Sequence, residues 1–404
     1  MATAPYEVAA YYFPNWHVDM QNELWYGPGW TEWNLVKAAK PRYPDHAQPK
    51  VPAWGYFDES DPLWAKREIA LAHEHGITAF IYDWYWYHNK PYLQGSLEHG
   101  FMRAANQGIM KFALMWANHT WVNIHPAQFN NHPEALARGE LSPDQWESAT
   151  DYIVKHYFSR PNYLRLDGRL YFSIYELATL INGLGGLSTT RDALNSFRKK
   201  VALAGQGELH LNAILWGVQI LPAEIKLDNA VSVLDALGFN SSTTYAWVHH
   251  YNPNEHGFPR GSYTQAMAAN IAQWRKSRQE LPVPYYPNVS MGWDPSPRTV
   301  QTSPYANRGY PWTAVLEGNT PAAFQRALRC AKDFLDEVPA STKLLTLNAW
   351  NEWTEGSYLL PDTVSGTAYL DAIRDVFGQP DDHPQTVAPP LGPQATPSMM
   401  GPKP

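Results

Sequence analysis

The residues of this 404-residue chain best suited to chemistry are two glutamates in the string Asn348-Ala-Trp-Asn-Glu-Trp-Thr-Glu-Gly356. Glu352 and Glu355 stand three positions apart. On a continuing strand an odd offset turns two side chains to opposite faces, ~10 Å apart along the chain. They converge only if the strand ends near Glu352 and the chain bends, which Gly356 permits. Paired carboxylates across a glycosidic bond are the usual equipment for its hydrolysis. One must stay protonated to help the leaving oxygen depart, so its pKa must be raised. Trp350, Trp353 and the partner carboxylate are the local means of raising it. Trp350 and Asn351 are candidate substrate contacts in the same string.

The second signal is aromatic. The chain holds 18 Trp, 24 Tyr and 14 Phe, and they gather where apolar runs end. The first run leads into Tyr12 and Trp16, with Glu32 in the loop beyond. The next leads into Asp83, Trp84 and Trp86. A third leads into Asn118, His119 and Trp121, a fifth into Trp216. A seventh leads into Trp293 and Asp294, with Arg298 further on. A pyranose offers apolar C–H faces and a girdle of hydroxyls. Flat rings beside Asn, His and carboxylates supply both kinds of partner, which makes these residues candidate sugar contacts. The competing use of so many rings is to fill the core. His249-His250 with Tyr245 and Trp247 could touch a substrate or line a loop.

Something must hold these positions together. Val8–Phe13 reads as a buried strand. Asp61-Pro62 reads as an N-cap with proline in the first turn, opening a helix that runs to His75 and stops at Gly76. Strands follow at Ile77–Asp83, Lys111–Ala117, Arg169–Tyr175 and Leu211–Trp216. Ala230–Leu234 is the sixth candidate, and Tyr285–Met291, containing Pro287, the seventh. After a helix with Phe324, Ala327, Leu328, Ala331 and Leu335 on one stripe, Lys343–Leu347 is the eighth. A closing helix carries Tyr369, Leu370, Ile373 and Phe377. Continuous apolar strands alternating with helices indicate a parallel sheet covered on both faces. Eight of them indicate an α/β fold, a single (β/α)8 barrel with long aromatic-rich loops, residues 1–378. The alternative is an open doubly wound sheet, but Asn182-Gly-Leu-Gly-Gly-Leu187 lacks the third glycine of a nucleotide loop. Residues 379–404 are Pro-rich without apolar period and read as a tail.

Composition narrows the classes. The 38 acids and 31 bases leave a net charge of −7, with no basic run, which argues against nucleic acid and anionic membrane as partners. No stretch of ~18 apolar residues is long enough to span a bilayer. One cysteine, Cys330, rules out a disulfide framework and a Cys-rich zinc site. The first residues lack the basic and apolar regions of a signal peptide. The expected compartment is the cytoplasm for the chain as given, or a secreted or periplasmic location if a signal has been removed.

Tyr11-Tyr-Phe-Pro14, Gly29-Trp-Thr-Glu-Trp33, Trp116-Ala-Asn118, Gly292-Trp-Asp294 with Pro297-Arg298, and above all Asn348–Gly356 resemble the glycoside hydrolase family 99-like proteins. This is the WbsX-like group found around polysaccharide genes and often labelled glycosyltransferase. The resemblance covers roughly residues 6–378. Family 99 itself comprises retaining endo-α-mannosidases with a (β/α)8 fold. Their Asn-Glu-x-x-Glu-Gly motif matches Asn351, Glu352, Glu355 and Gly356. What the resemblance implies is that Glu352 acts as base on the sugar's own 2-hydroxyl, which attacks C1 to form a 1,2-anhydro sugar. Glu355 would protonate the leaving oxygen and then deprotonate the water that opens the epoxide. No metal or other cofactor is implied, and the partner is an oligo- or polysaccharide. At strand three, Trp116-Ala-Asn-His-Thr-Trp121 has His119 where an acidic residue is expected, which bears on the sugar recognised and its charge. Two other readings stand beside hydrolysis: a biosynthetic glycosyltransferase and a non-catalytic carbohydrate-binding barrel.

Overall fold

The computed structural model describes residues 6–130, 132–337 and 342–378. Eight parallel strands form the barrel: β1 (Tyr6–Tyr12), β2 (Ala79–Tyr87), β3 (Lys111–Trp116), β4 (Arg169–Ile174), β5 (Leu209–Ile214), β6 (Ser241–Thr243), β7 (Asn288–Ser290) and β8 (Lys343–Asn348), with two short strands, Lys90–Tyr92 and Arg165–Leu166, added antiparallel to β2 and β4. The hydrogen-bonded order is β6-β5-β4-β3-β2-β1-β8-β7. The gap between β6 and β7 closes through one parallel bridge. The Ser242 N–H donates to Pro284 O and the Tyr286 N–H to Ser242 O, both at 2.9 Å. Pro287 then offers only its carbonyl, which accepts from the Thr346 N–H, because proline has no N–H to give. β7 is therefore only three residues long, where seven were expected.

Helices α1 (Pro62–Glu74), α2 (Pro143–Ile153), α3 (Leu187–Leu203), α4 (Ala230–Leu237), α5 (Tyr263–Glu280), α6 (Pro321–Asp336) and α7 (Ala368–Phe377) form the outer layer. Short π and 3₁₀ turns over residues 96–109 take the helix position between β2 and β3. The Asp61 carboxylate caps α1 by accepting from the Leu63 N–H at 2.8 Å, and Gly76 follows at φ 83°. The barrel and the start and stop of α1 match expectation.

The sixth strand does not. Ala230–Leu234 belongs to α4, which buries Val233, Leu234 and Leu237 and leaves Val231 exposed. That run is apolar on one helical stripe, and a short apolar run is the same string in either conformation. The true β6 is Ser-Ser-Thr, wholly buried. Two of its three hydroxyls are satisfied inside the barrel, Ser241 by His210 and Asn212 and Thr243 by the Tyr286 carbonyl, while that of Ser242 is buried without a partner. Buried polar groups need such partners, and none of them is near in sequence. The tail expected at 379–404 lies outside the described residues. No helix among the described residues is long and apolar enough to cross a membrane.

Side-chain parity along each strand decides what faces the barrel axis. On β2, Asp83 and Tyr85 point inward. Trp84 and Trp86 point to the helix layer, where the Trp84 indole donates to the Tyr157 hydroxyl and Trp86 packs on Tyr152. On β1, Tyr12 turns outward to Glu68 of α1. Glu68 is buried and accepts from Tyr12 (3.1 Å) and the Trp350 indole (2.9 Å). Burial pushes its carboxyl up to about 8. Glu176 is likewise raised to about 8 and Glu224 to about 7, both by burial. Groups raised in the folded state hold protons that the unfolded chain has released. Their contribution is full below the ordinary glutamate pKa and is lost as pH rises toward 8. Folding stability is therefore expected to decline between pH 5 and 8. Glu68→Gln should flatten that decline by more than about 1 kcal/mol, read from urea unfolding at both pH values; an unchanged slope would contradict it.

Candidate active site

β8 ends at Asn348 and the chain bends at once. Asn351–Glu352 pairs antiparallel with Ser357–Tyr358, and Trp353–Glu355 forms a 3₁₀ turn between them. Gly356 closes the turn at φ 63°, and a Cβ there would lie 2.6 Å from that of Asp294, so only glycine fits. Asn351 fixes the bend to the end of β1, accepting from the Phe13 N–H (2.8 Å) and donating to the Phe13 carbonyl (2.9 Å). The result brings Glu352 and Glu355 together in one cavity at the C-terminal end of the barrel, where such barrels place their chemistry.

One cation organises the acids. Arg298 is buried, with its guanidinium over the Phe13 ring. Its Nε donates to Glu32 at 2.7 Å, its Nη1 to Glu355 at 2.5 Å, and its Nη2 reaches Glu352 at 3.5 Å. Nη1 also donates to the Tyr310 hydroxyl, which donates onward to Glu355 at 2.5 Å. Glu32 accepts further from Asn15 (2.8 Å) and Thr354 (2.5 Å). Burial works to raise Glu32, but Arg298, His125 and the Thr354 hydrogen bond together outweigh it and hold the carboxyl below its ordinary value. On the far side of the pair, the Tyr245 hydroxyl lies 2.7 Å from Glu352 Oε2 and 2.9 Å from Asp83 Oδ2.

Proton affinity is raised throughout the rest of the cluster. Burial and the Glu355 charge push Glu352 well above the ordinary range, against Arg298. Burial also raises Glu355, opposed by Arg298 and the Tyr310 hydrogen bond. The two carboxyls reach the same guanidinium and the Glu355 charge acts on Glu352, so they titrate as a pair. Asp83 is raised well above its usual value by burial. Burial lowers His119 and His125 to about 4 and His249 to about 3. These imidazoles are neutral near pH 7, each with one donor and one acceptor nitrogen. Among the described residues, no group of three or more His, Cys, Asp or Glu side chains is arranged to hold a metal ion.

Of the residues singled out in the sequence, Asp83, His119, Trp121, Trp293, Glu352 and Glu355 line the cavity. Glu32 sits behind it as the anchor of Arg298. Others have structural partners elsewhere. Tyr12 and Trp350 bind Glu68. Trp16 packs on Trp33, with ring centroids 4.3 Å apart. Trp84 and Trp86 face the helix layer. Asn118 clamps the Glu176 backbone, accepting from its N–H (2.7 Å) and donating to its carbonyl (2.8 Å). Asn351 clamps β1. Trp216 lines a small separate pocket with Leu177 and Ile225. Asp294 accepts from Gln48 (2.6 Å) and Ser296 (2.6 Å) and pairs with His46 (2.8 Å). Burial raises the Asp294 carboxyl, yet the His46 contact and the other bonds bring it below its usual value.

Tyr310 and His125 join the cavity and its acid network without having been named in the sequence, and Arg298 and Tyr245 with roles in the acid network that the sequence did not assign. Tyr310 follows a loop with no strand signal, and nothing in its neighbourhood marked it. Arg298 and Tyr245 stood in strings already noticed, and the missing information was which partners they meet across the barrel. Parity along β2 was a usable signal: Asp83 and Tyr85 must share a face that Trp84 and Trp86 do not.

Comparison with known proteins agrees with this architecture. Residues 8–373 match the model of the family described as Glycosyltransferase WbsX. An uncharacterized protein, WxcX, of Xanthomonas campestris pv. campestris is 27% identical over 393 residues, covering 94% of this chain and 51% of the relative. The chain thus spans about half the length of the curated relatives it matches. Among solved structures, a glycoside hydrolase-like protein superposes with a TM-score of 0.59 at 18% identity, over 93% of this chain and 94% of that one. A GH99 endo-α-mannosidase from Bacteroides thetaiotaomicron gives 0.52 at 15% identity, over 92% and 96%. At such identities the likeness is one of fold, a glycosidase-like (β/α)8 barrel. A match spanning nearly the whole barrel means that the chain belongs to the WbsX family.

Proposed function

We propose that the protein is a retaining glycoside hydrolase acting on an α-mannoside-like oligo- or polysaccharide. The observation that carries this reading is the pair of buried carboxyls, Glu352 and Glu355, lining one cavity inside the barrel mouth and reaching the same guanidinium. Glu352 takes the proton of the sugar 2-hydroxyl as that oxygen attacks C1. Glu355 gives its proton to the departing glycosidic oxygen. Water, deprotonated by Glu355, then opens the 1,2-anhydro sugar at C1, and Glu352 returns its proton to the 2-oxygen. Two inversions give retention. The reactive form of the pair is the one with a single proton, on Glu355. Neutral His119, His125 and His249 and the face of Trp121 suit an uncharged hexose, whose hydroxyls need both donors and acceptors.

A trough of about 780 Å3 lies beside the cavity, with Tyr310, the hydrogen-bond partner of Glu355, in its wall together with Phe129, Arg308 and Trp312. Its size lies within the ~300–1,000 Å3 typical of ligand sites, and it supports a substrate longer than one sugar.

The test is product analysis by proton NMR with α-mannans and other α-glycans, followed by a 2-deoxy analogue of whichever substrate is cleaved. Retained configuration and an inert 2-deoxy analogue are expected. Inversion, or full activity on the 2-deoxy analogue, would refute the route. The family's descriptive name favours a second reading, transfer from a nucleotide sugar. Calorimetry with UDP- and GDP-sugars showing micromolar binding would replace hydrolysis by that reading.

A further inference from the structure

Tyr245 has one hydroxyl proton and two carboxyl neighbours, Asp83 Oδ2 at 2.9 Å and Glu352 Oε2 at 2.7 Å. A phenol donates once and can accept as well. Both contacts are therefore hydrogen bonds only if one of the two carboxyls is protonated and donates to the Tyr245 oxygen. Geometry says which. Arg298 reaches Glu352 at 3.5 Å, whereas Asp83 forms no ion pair among the described residues. The groups facing Asp83 are Tyr11 from β1, Tyr85 from its own strand, Tyr245 after β6, Arg298 after β7, and Glu352 and Glu355 after β8. That set contains one guanidinium, already engaged with Glu32, Glu352 and Glu355. An ionised Asp83 would be a further buried negative charge with no cation in contact, the costly arrangement. Its other oxygen, Oδ1, is buried without a hydrogen-bond partner while the residue lines the cavity.

We propose that Asp83 is a neutral carboxylic acid at neutral pH and a positioning residue for Glu352. Its proton is donated from Oδ2 to the Tyr245 oxygen, which commits the Tyr245 proton to Glu352 Oε2. That hydrogen bond favours the ionised form of Glu352 and so moves the single proton of the glutamate pair toward Glu355, the arrangement the reaction needs. This role rests on Glu352 being the base. The protonation of Asp83 itself does not.

The two parts are tested separately. Infrared difference spectra of protein labelled with 13C in the aspartate carboxyls are recorded at pH 7 for wild type and Asp83→Asn, with no substrate present. An isotope-shifted carboxylic acid band present in wild type and missing from the isosteric variant is expected, and identical spectra overturn the proposal. Kinetics with the oligosaccharide that wild type cleaves then test the positioning. The amide introduced by Asp83→Asn keeps a donor, its Nδ2, for the Tyr245 oxygen. That variant should therefore retain kcat within a few-fold and keep the acid limb of the pH profile in place. Asp83→Ala removes the donor. It should lower kcat at least about tenfold, the scale of one charge-assisted hydrogen bond, and move the acid limb to higher pH. Equal losses in the two variants, or an unmoved limb in Asp83→Ala, overturn the role. If wild type cleaves none of the glycans tried, the hydrolase reading fails, and the infrared comparison still decides the protonation of Asp83.

Discussion

Glu355→Gln is expected to lower kcat by about 10²–10⁴-fold, the usual worth of general acid–base catalysis. The amide is nearly isosteric, and its oxygen can still accept from Arg298 Nη1 and the Tyr310 hydroxyl, both 2.5 Å from Glu355 Oε1. The fold and the positions of the partners should therefore survive, and the loss is chemical: an amide neither protonates the leaving oxygen nor deprotonates water. The pH dependence should change with it. On the proposed route, wild-type activity requires the pair to hold one proton, which gives a bell. Glu355 is the leading neighbouring charge that raises Glu352. That charge is absent on the acid limb, where Glu355 is still protonated, so the acid limb of kcat/KM stays near its wild-type position, while the basic limb, which reports loss of the Glu355 proton, disappears. A glycosyl fluoride, whose leaving group needs little acid assistance, should recover part of the rate. Unchanged turnover in Glu355→Gln on the natural leaving group would remove Glu355 from the chemistry. Combining it with Glu352→Gln should cost far less than the product of the single losses, because residues acting as a unit are not additive.

Arg298→Met should produce the largest change in stability. The side chain is buried, and it joins Glu32 at 2.7 Å, Glu355 at 2.5 Å and Glu352 at 3.5 Å. Breaking a buried pair by removing one partner costs about 3–5 kcal/mol, against a total of about 5–15 kcal/mol for a typical domain. Glu32 carries most of the effect, being wholly buried and held below its ordinary pKa chiefly by Arg298. A carboxyl with a depressed folded pKa stabilises the fold above its unfolded pKa and loses that contribution as pH falls through the folded value. In the variant, burial acts on Glu32 against only His125 and its remaining hydrogen bonds and raises it instead. The deficit relative to wild type should therefore be greatest at neutral pH and shrink on acidification below about pH 5. Arg298→Lys should not repair the site, because one ammonium cannot satisfy three carboxyls in a fixed fork. Urea unfolding of the three proteins at pH 7 and pH 4.5 measures this. Equal stability at pH 7 would show that the cluster is held by something other than Arg298.

Much of this was legible in the linear chain, for local reasons. Asp61-Pro62 and Gly76 bound their helix because capping and left-handed backbone are properties of a few adjacent residues. The apolar strands marked a parallel sheet because both of its faces are covered. Glu352 and Glu355 stood out because type and spacing lie within one short string, and Gly356 foretold the bend that lets them converge. Short polar β6 escaped notice, and α4 took its place, because Ser241–Thr243 is stabilised by His210, Asn212 and Tyr286 rather than by any pattern of its own.

What the chain by itself determined was therefore the barrel and the closely spaced pair Glu352 and Glu355. Which aromatic residues meet a ligand was decided by strand register, since a shift of one residue exchanges Asp83 and Tyr85 for Trp84 and Trp86. The charge of the site was decided by contacts across the closed barrel. Arg298 lies 266 positions from Glu32, and Tyr245 lies 162 from Asp83 and 107 from Glu352. Proton affinities depend on burial and on charges within a few ångströms, and those distances exist only once the sheet has closed.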